Sequence, residues 1–179
     1  HSQYSICEGA IKIDDLQDFS KSNKIRSLAL CDTSNLCGAL GFAEKISQVG
    51  TQPIIGTQIN FKYGDCIGLL PLFALNEEGY KRVIKLSSTS YLANNELSDP
   101  HIDFNELLDD NTGVAVFSGT IFGLFGELFN KGKFSESSEL YKKLKLSFGD
   151  RCYIEIQRHN EQNELGFEKF NLNKSLELE

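Results

Sequence analysis

The chain has 179 residues, of which 40% are hydrophobic and 24% charged, ordinary values for one soluble globular domain with its own core. Its net charge of −7 argues against a stand-alone nucleic-acid binder, which would show a basic face to phosphates. The longest apolar runs, such as Ile67 to Leu75, fall far short of a membrane span.

Five cysteines occur (Cys7, Cys31, Cys37, Cys66 and Cys152), an odd number without a CxxC pair. That pattern suits reduced thiols in a cytoplasmic setting better than a disulfide framework. The chain contains no Met, so His1 is expected to be an internal position of a longer protein.

In chain order, Ile11 to Ser22 carries Ile13, Leu16 and Phe19 at helical spacing. Ser27 to Asp32 is a short apolar run ending in a polar residue, as a buried parallel strand does. Asn35 to Val49 reads as a helix with Leu36, Leu40, Ala43 and Ile46 on one face, closed by Gly50. Pro53 to Ile59 is the next strand. Phe61 to Leu75 reads as a hairpin or strand extension around Gly64 and Asp65.

Asn76 to Tyr91 is a predicted helix with acids in its first turn, where the dipole favours them. Asn94 to Pro100 is a predicted loop, Phe104 to Leu108 a short helix and Gly113 to Gly119 a buried strand. Helical pieces near Gly123 to Phe129 and Ser135 to Leu146 are split by Lys131-Gly132-Lys133. Cys152 to Arg158 is the last predicted strand, and the tail after Asn160 is polar loop or partial helix. Alternating strands and helices argue for parallel βαβ units, in an α/β barrel or an open doubly wound sheet. No glycine-rich phosphate loop follows a strand, which weakens a nucleotide-binding reading.

In an α/β barrel the site lies at the C-terminal ends of the strands. The polar residues there are His1 with Glu8, Asp32 with Thr33, Thr57 with Gln58, Ser118 with Thr120, and Glu155 through His159. Of these, His1, Glu8, Asp32, Glu155 and His159 have the chemistry to bind a hard or borderline cation. His101 sits apart, in a loop beside Pro100. Hydrogen bonding in a polar rim is the simpler role for His1 and His159. Asp32 is expected to cap the helix that begins near Asn35, and Arg158 to pair with Glu8 or Glu155. Phe122, Leu124, Phe125, Leu128 and Phe129 are read as core packing, with a partner-facing patch as the alternative.

The opening His1-Ser2-Gln3-Tyr4-Ser5-Ile6-Cys7-Glu8-Gly9 and the later Cys31-Asp32-Thr33-Ser34-Asn35-Leu36-Cys37-Gly38 resemble the PHP (polymerase and histidinol phosphatase) domain found at the front of bacterial replicative DNA polymerase III alpha subunits. A metal-binding PHP domain carries HxHxxxSxxDG, DHxN, GxE, SGC, an ELxxH segment and a closing Asp-x-His strand. His1 matches the second His of the first motif, Tyr4-Ser5 its aromatic-Ser step, and Glu8-Gly9 stands where Asp-Gly is usual. Asp32, Asn35 and Gly38 match the second motif, but Thr33 replaces the ligand His. Gln58 replaces the ligand Glu, Thr120 the ligand Cys, and His159 is retained. An amide or a hydroxyl replaces a charged or strong ligand poorly.

The resemblance runs over nearly the whole chain. It implies an α/β fold, a PHP-type distorted (β/α)7 barrel, TIM-like and incomplete at both ends here, in a single domain over 1–179 at the front of a much longer polymerase. It implies a metal site reduced to His1, Glu8 and His159, vestigial and expected to be unoccupied, with no catalytic residues in this stretch. The domain is then a structural module that docks the proofreading exonuclease subunit and other replicase subunits. DNA would be held by the rest of the parent chain, a DNA-directed DNA polymerase using Mg, in the bacterial cytoplasm with no membrane association. The alternative is an active phosphoesterase using Zn or Mn, a 3′–5′ exonuclease or pyrophosphatase. A free-standing histidinol-phosphatase-like enzyme fits less well, because it needs the His and Glu ligands that are replaced.

Overall fold

A computed structural model describes residues 1–93, 99–159, 161–162 and 164–178. The elements are α1 (Ile13–Asn23), β1 (Ser27–Thr33), α2 (Ala39–Gln48), β2 (Gln52–Tyr63), β3 (Cys66–Ala74), α3 (Glu77–Leu92), β4 (Ile102–Asp103), α4 (Phe104–Asp109), β5 (Val114–Phe117), α5 (Leu124–Asn130), α6 (Phe134–Phe148), β6 (Cys152–Tyr153) and α7 (Leu165–Leu178). A single 3₁₀ turn, Gly149–Arg151, precedes β6.

The strands form one mixed sheet in the order β1-β2-β3-β5-β6, with β4 beside the end of β2. The expected parallel units are present at β1–α2–β2 and between β5 and β6. Between them the β2–β3 hairpin reverses direction, so β3 lies antiparallel to both neighbours. Gly64 occupies the first central position of that turn with φ +61°, as a two-residue type II′ hairpin requires. Among the described residues the sheet runs as an open path, with β1 and β6 at its ends, and does not close on itself.

One face of the sheet carries the core. Leu28, Leu30 and Ile55 meet Ile13, Phe42 and Ile46 of α1 and α2. Further along, Ile59, Phe61, Leu70, Leu72, Val114 and Val116 are buried against the later helices. Phe125 of α5 stacks on Tyr141 of α6, ring centroids 3.8 Å apart. The opposite face presents Phe73, Phe117 and Tyr153 as a continuous aromatic row, with centroids 5.0 Å apart at each step. Gly56 lies beneath it, and a Cβ there would sit 2.5 Å from the Phe73 ring.

Several elements differ from expectation. α2 starts at Ala39 rather than Asn35, because the Asn35 side chain is used locally. Its amide donates to the carbonyls of Tyr4 and Thr33, and its oxygen accepts the Cys37 N–H. Such an Asx turn competes with helix. The helix face therefore begins at Ala39 and continues through Phe42 and Ile46, while Leu40 is exposed. The predicted strand Cys152 to Arg158 shortens to β6, and the tail forms α7, docked by Phe167 and Asn171. The loop predicted over Asn94 to Pro100 lies largely outside the described residues.

α3 begins as expected, with the Asn76 side chain accepting the Gly79 N–H at 2.9 Å. Its first turn lies against the β5 entry so closely that a Cβ on Gly79 would fall 1.8 Å from the Gly113 carbonyl oxygen. Helix propensity favours Ala over Gly by about 1 kcal/mol. Backbone overpacking of this kind costs about 1–3 kcal/mol or more. Gly79→Ala is therefore expected to lower stability in urea unfolding, where an exposed helical glycine would raise it.

Candidate functional site: the rim at the strand ends

β1 and β2 run parallel with Thr33 beside Gln58, so their last residues share one edge of the sheet. The loop of residues 1–9 folds over this edge. It brings His1 and Glu8 onto Thr33 and Gln58. Thr33 Oγ1 donates to Glu8 Oε2 at 2.5 Å and lies 3.3 Å from His1 Nδ1. His1 Nδ1 is also 3.2 Å from Ser5 Oγ and 3.5 Å from Glu8 Oε2. On the other side of the ring, Gln58 Nε2 lies 3.3 Å from His1 Nε2.

An amide nitrogen only donates, so His1 Nε2 accepts and Nδ1 carries the hydrogen. That hydrogen faces the Ser5 and Thr33 hydroxyl oxygens and the Glu8 carboxylate, all able to accept. The His1 lone pair is thus already committed to Gln58. Thr120, the third replaced position, uses its hydroxyl oxygen to accept the Phe122 N–H at 3.1 Å in a local turn.

Two cavities meet here. One of about 370 Å³ is lined by His1, Glu8, Gln58, Leu69, Thr120 and Phe122 with two glycines. The other, about 310 Å³, lies over the aromatic face and is lined by Cys31, Pro71, Phe73, Phe117 and Glu155, again with His1 and Gln58. Phe122 is 79% exposed at the mouth of the first, whereas Leu124, Phe125 and Leu128 of the same segment are in the core.

The rest of the predicted rim divides. Asp32 does not cap α2. Its carboxylate is 1% exposed and accepts from the Ser2 backbone and from the Ser2 and Ser5 hydroxyls. Thr57 donates to the Asp32 carbonyl at 2.7 Å. Ser118 Oγ accepts the Glu155 N–H at 2.9 Å, which ties β5 to the segment after β6. His159 pairs with Glu164 at 2.8 Å. Arg158 pairs with Glu168 at 3.2 Å, not with Glu8 or Glu155. The physical reason is the start of α7, where Glu168 and the preceding Glu164 present carboxylates to residues 158–159.

Some contributors were not foreseen. Asn171 of α7 donates to the Glu155 carbonyl at 3.1 Å and accepts the Tyr141 hydroxyl at 2.7 Å. Burial holds the Tyr141 hydroxyl well above the ordinary tyrosine range. Nothing local in the sequence marks an Asn in a polar tail as a core residue.

As a metal-binding set these side chains do not fit well. His1 and Glu8 lie 3.5 Å apart, and their neighbours Thr33 and Gln58 are neutral. Among the described residues no three His, Cys, Asp or Glu side chains gather in a way that could hold a metal ion.

Two expectations follow. Burial pushes the Cys31 thiol up to about 12 and the Cys152 thiol up to about 11, and Cys66 is fully enclosed. Cys7 and Cys37 are exposed. A thiol-reagent titration of the native protein near neutral pH is expected to modify Cys7 and Cys37 promptly and leave the other three until unfolding. Arg158 is 69% exposed. Arg158→Ala is expected to change stability by less than about 0.5 kcal/mol in a denaturant melt.

The PHP domain family matches residues 1–159. The chain is similar to DNA polymerase III subunit alpha of Caulobacter vibrioides, with 34% identity over 171 residues that cover 88% of this chain and 14% of that protein. The corresponding subunit of Borreliella burgdorferi is 35% identical over 89% of this chain and 15% of its own length. That of Vibrio cholerae is 30% identical over 96% of this chain and 15% of its own length. The chain thus spans about one seventh of the length of these relatives. With the first and second motifs folded together at one sheet edge, and the match running from His1 to His159, the chain belongs to the PHP domain family.

Proposed function

We propose that this chain is the PHP domain of a bacterial replicative DNA polymerase III alpha subunit, and that it serves as a metal-poor structural module on which the proofreading exonuclease subunit docks. The observation that carries this reading is the closed hydrogen-bonded set at the rim. Gln58 takes the His1 lone pair and Thr33 takes the Glu8 carboxylate, so two groups suited to a cation are already partnered by neutral side chains. A divalent ion would have to displace both bonds and would gain few charged ligands in return.

The complete domain, on this reading, is a distorted (β/α)7 barrel. The aromatic face of Phe73, Phe117 and Tyr153 would be its interior, and the free edges at β1 and β6 would take further strands. Nucleotidyl transfer with Mg and the grip on DNA would belong to chain beyond these residues. Among the described residues no helix is long and apolar enough to cross a membrane, and the cysteines are unpaired. The unpaired cysteines fit a reducing bacterial cytoplasm.

The test is elemental analysis for Zn, Mn and Fe on the domain with neighbouring strands included, purified without chelator. Less than about a tenth of an equivalent is expected. Near-stoichiometric metal would overturn the metal-poor reading and direct attention to phosphoester hydrolysis. Thr33→His with Gln58→Glu frees the His1 lone pair and adds two ligands, and is expected to raise metal content above the parent protein's. Separately, titration of the polymerase with the exonuclease subunit should give a saturable complex lost on competition with excess of this domain. No competition would remove the docking role.

A further inference from the structure

Residues 1–9 contain no helix or strand, yet they hold His1 and Glu8 in place. The buried anchor of this loop is the Asp32 carboxylate. Asp32 Oδ1 accepts the Ser2 backbone N–H at 2.5 Å and the Ser5 hydroxyl at 2.8 Å, and Oδ2 accepts the Ser2 hydroxyl at 2.8 Å. Ser2, Ser5 and Asp32 are all essentially inaccessible. The partners are hydroxyls and an amide rather than a cation, so the carboxylate depends on them for its solvation.

From there the bonds lead directly to the rim. Ser5 Oγ accepts the Thr33 N–H at 3.0 Å and lies 3.2 Å from His1 Nδ1. Asn35 holds the Tyr4 carbonyl at 2.9 Å. Packing enforces the same placement independently. A Cβ on Gly9 would fall 2.0 Å from the Ser2 carbonyl oxygen. One on Gly38 would fall 2.9 Å from the Tyr4 ring and 3.3 Å from Asp32 Oδ2.

We propose that Asp32 is a positioning residue, which sets His1 and Glu8 through Ser2 and Ser5 and makes the rim a fixed part of β1 whatever the rim binds. This does not rest on the metal-poor reading, and it holds equally if the site is loaded.

The experiment is amide hydrogen exchange, followed residue by residue by NMR, on this chain and its Asp32→Ala, Asp32→Asn and Ser5→Ala variants. In Asp32→Ala the amides of Ser5, Glu8 and Gly9, which bond within the loop, are expected to exchange at least about tenfold faster, with the β2–β3 amides within about twofold. Asp32→Asn is expected to stay close to the parent, because its oxygen can keep the Ser2 N–H and the Ser5 hydroxyl while the Ser2 hydroxyl turns to accept from its amide. Should Asp32→Ala fail to fold, Ser5→Ala decides, with a smaller rise confined to the same loop. Unchanged loop exchange in the folded variants, or an equal rise through the whole sheet, would overturn the proposal. The first means Asp32 does not hold the loop. The second means it only stabilises the fold.

Discussion

The pairing of β2 with β3 is the constraint on which the rest of the sheet depends. Eight residue pairs run from Gly56–Phe73 to Tyr63–Cys66. β2 also carries β1 on its other side and β4 at its far end, and β3 carries β5. Because the hairpin turn is only Gly64 and Asp65, the register is not free to slip. A one-residue shift would turn Ile59, Phe61, Leu70 and Leu72 out of the core at once. The local charge pattern supports the turn. Asp65 is held ionised below the usual carboxylate range by hydrogen bonding to Lys133, from the α5–α6 connection. The pair is exposed to solvent and contributes alignment more than stability.

That register determines what the strand ends can do. Since Asp32 pairs with Thr57 and Thr33 with Gln58, the sheet delivers one buried acceptor and two neutral polar side chains to the same edge. The loop of residues 1–9 then has a defined seat. The result is a rim whose hydrogen bonds are internally satisfied. An unpaired carboxylate at Asp32 would be costly, whereas one with hydroxyl and amide donors is stable without a counter-ion. A site of this kind is well suited to persisting as structure, because its order does not require a ligand.

Much of the fold was legible in the residues. α1, β1, α3, α5, α6 and the hairpin follow from period, caps and turn glycines, since those are local properties. Only the start of α2 was placed too early, because Asn35 and Leu36 fit a helical pattern but Asn35 is claimed by its own turn. α7 was only half read, since its docking depends on Asn171 reaching Tyr141 and the Glu155 carbonyl from another element. At the site, Thr33 and Gln58 were rightly placed toward strand ends, and the loop of residues 1–9 lays His1 and Glu8 against them. Asp32 was in the right place with the wrong partner. His159 and Arg158 pair with Glu164 and Glu168, carboxylates whose placement the tail did not advertise.

The sequence by itself determined which residues carry polar chemistry, where the main helices and strands form, and that the family's ligand positions hold Thr and Gln. Those are statements about residue type and short-range pattern. Only the tertiary structure decided that Gln58 spends its amide on His1, that Asp32 anchors the opening loop, and that His159 turns to Glu164. The first two join groups far apart in the chain, and the third depends on how the connection before α7 is folded. The outcome depends on strand register and on which donor arrives within about 3 Å, a distance that no spacing along the chain encodes.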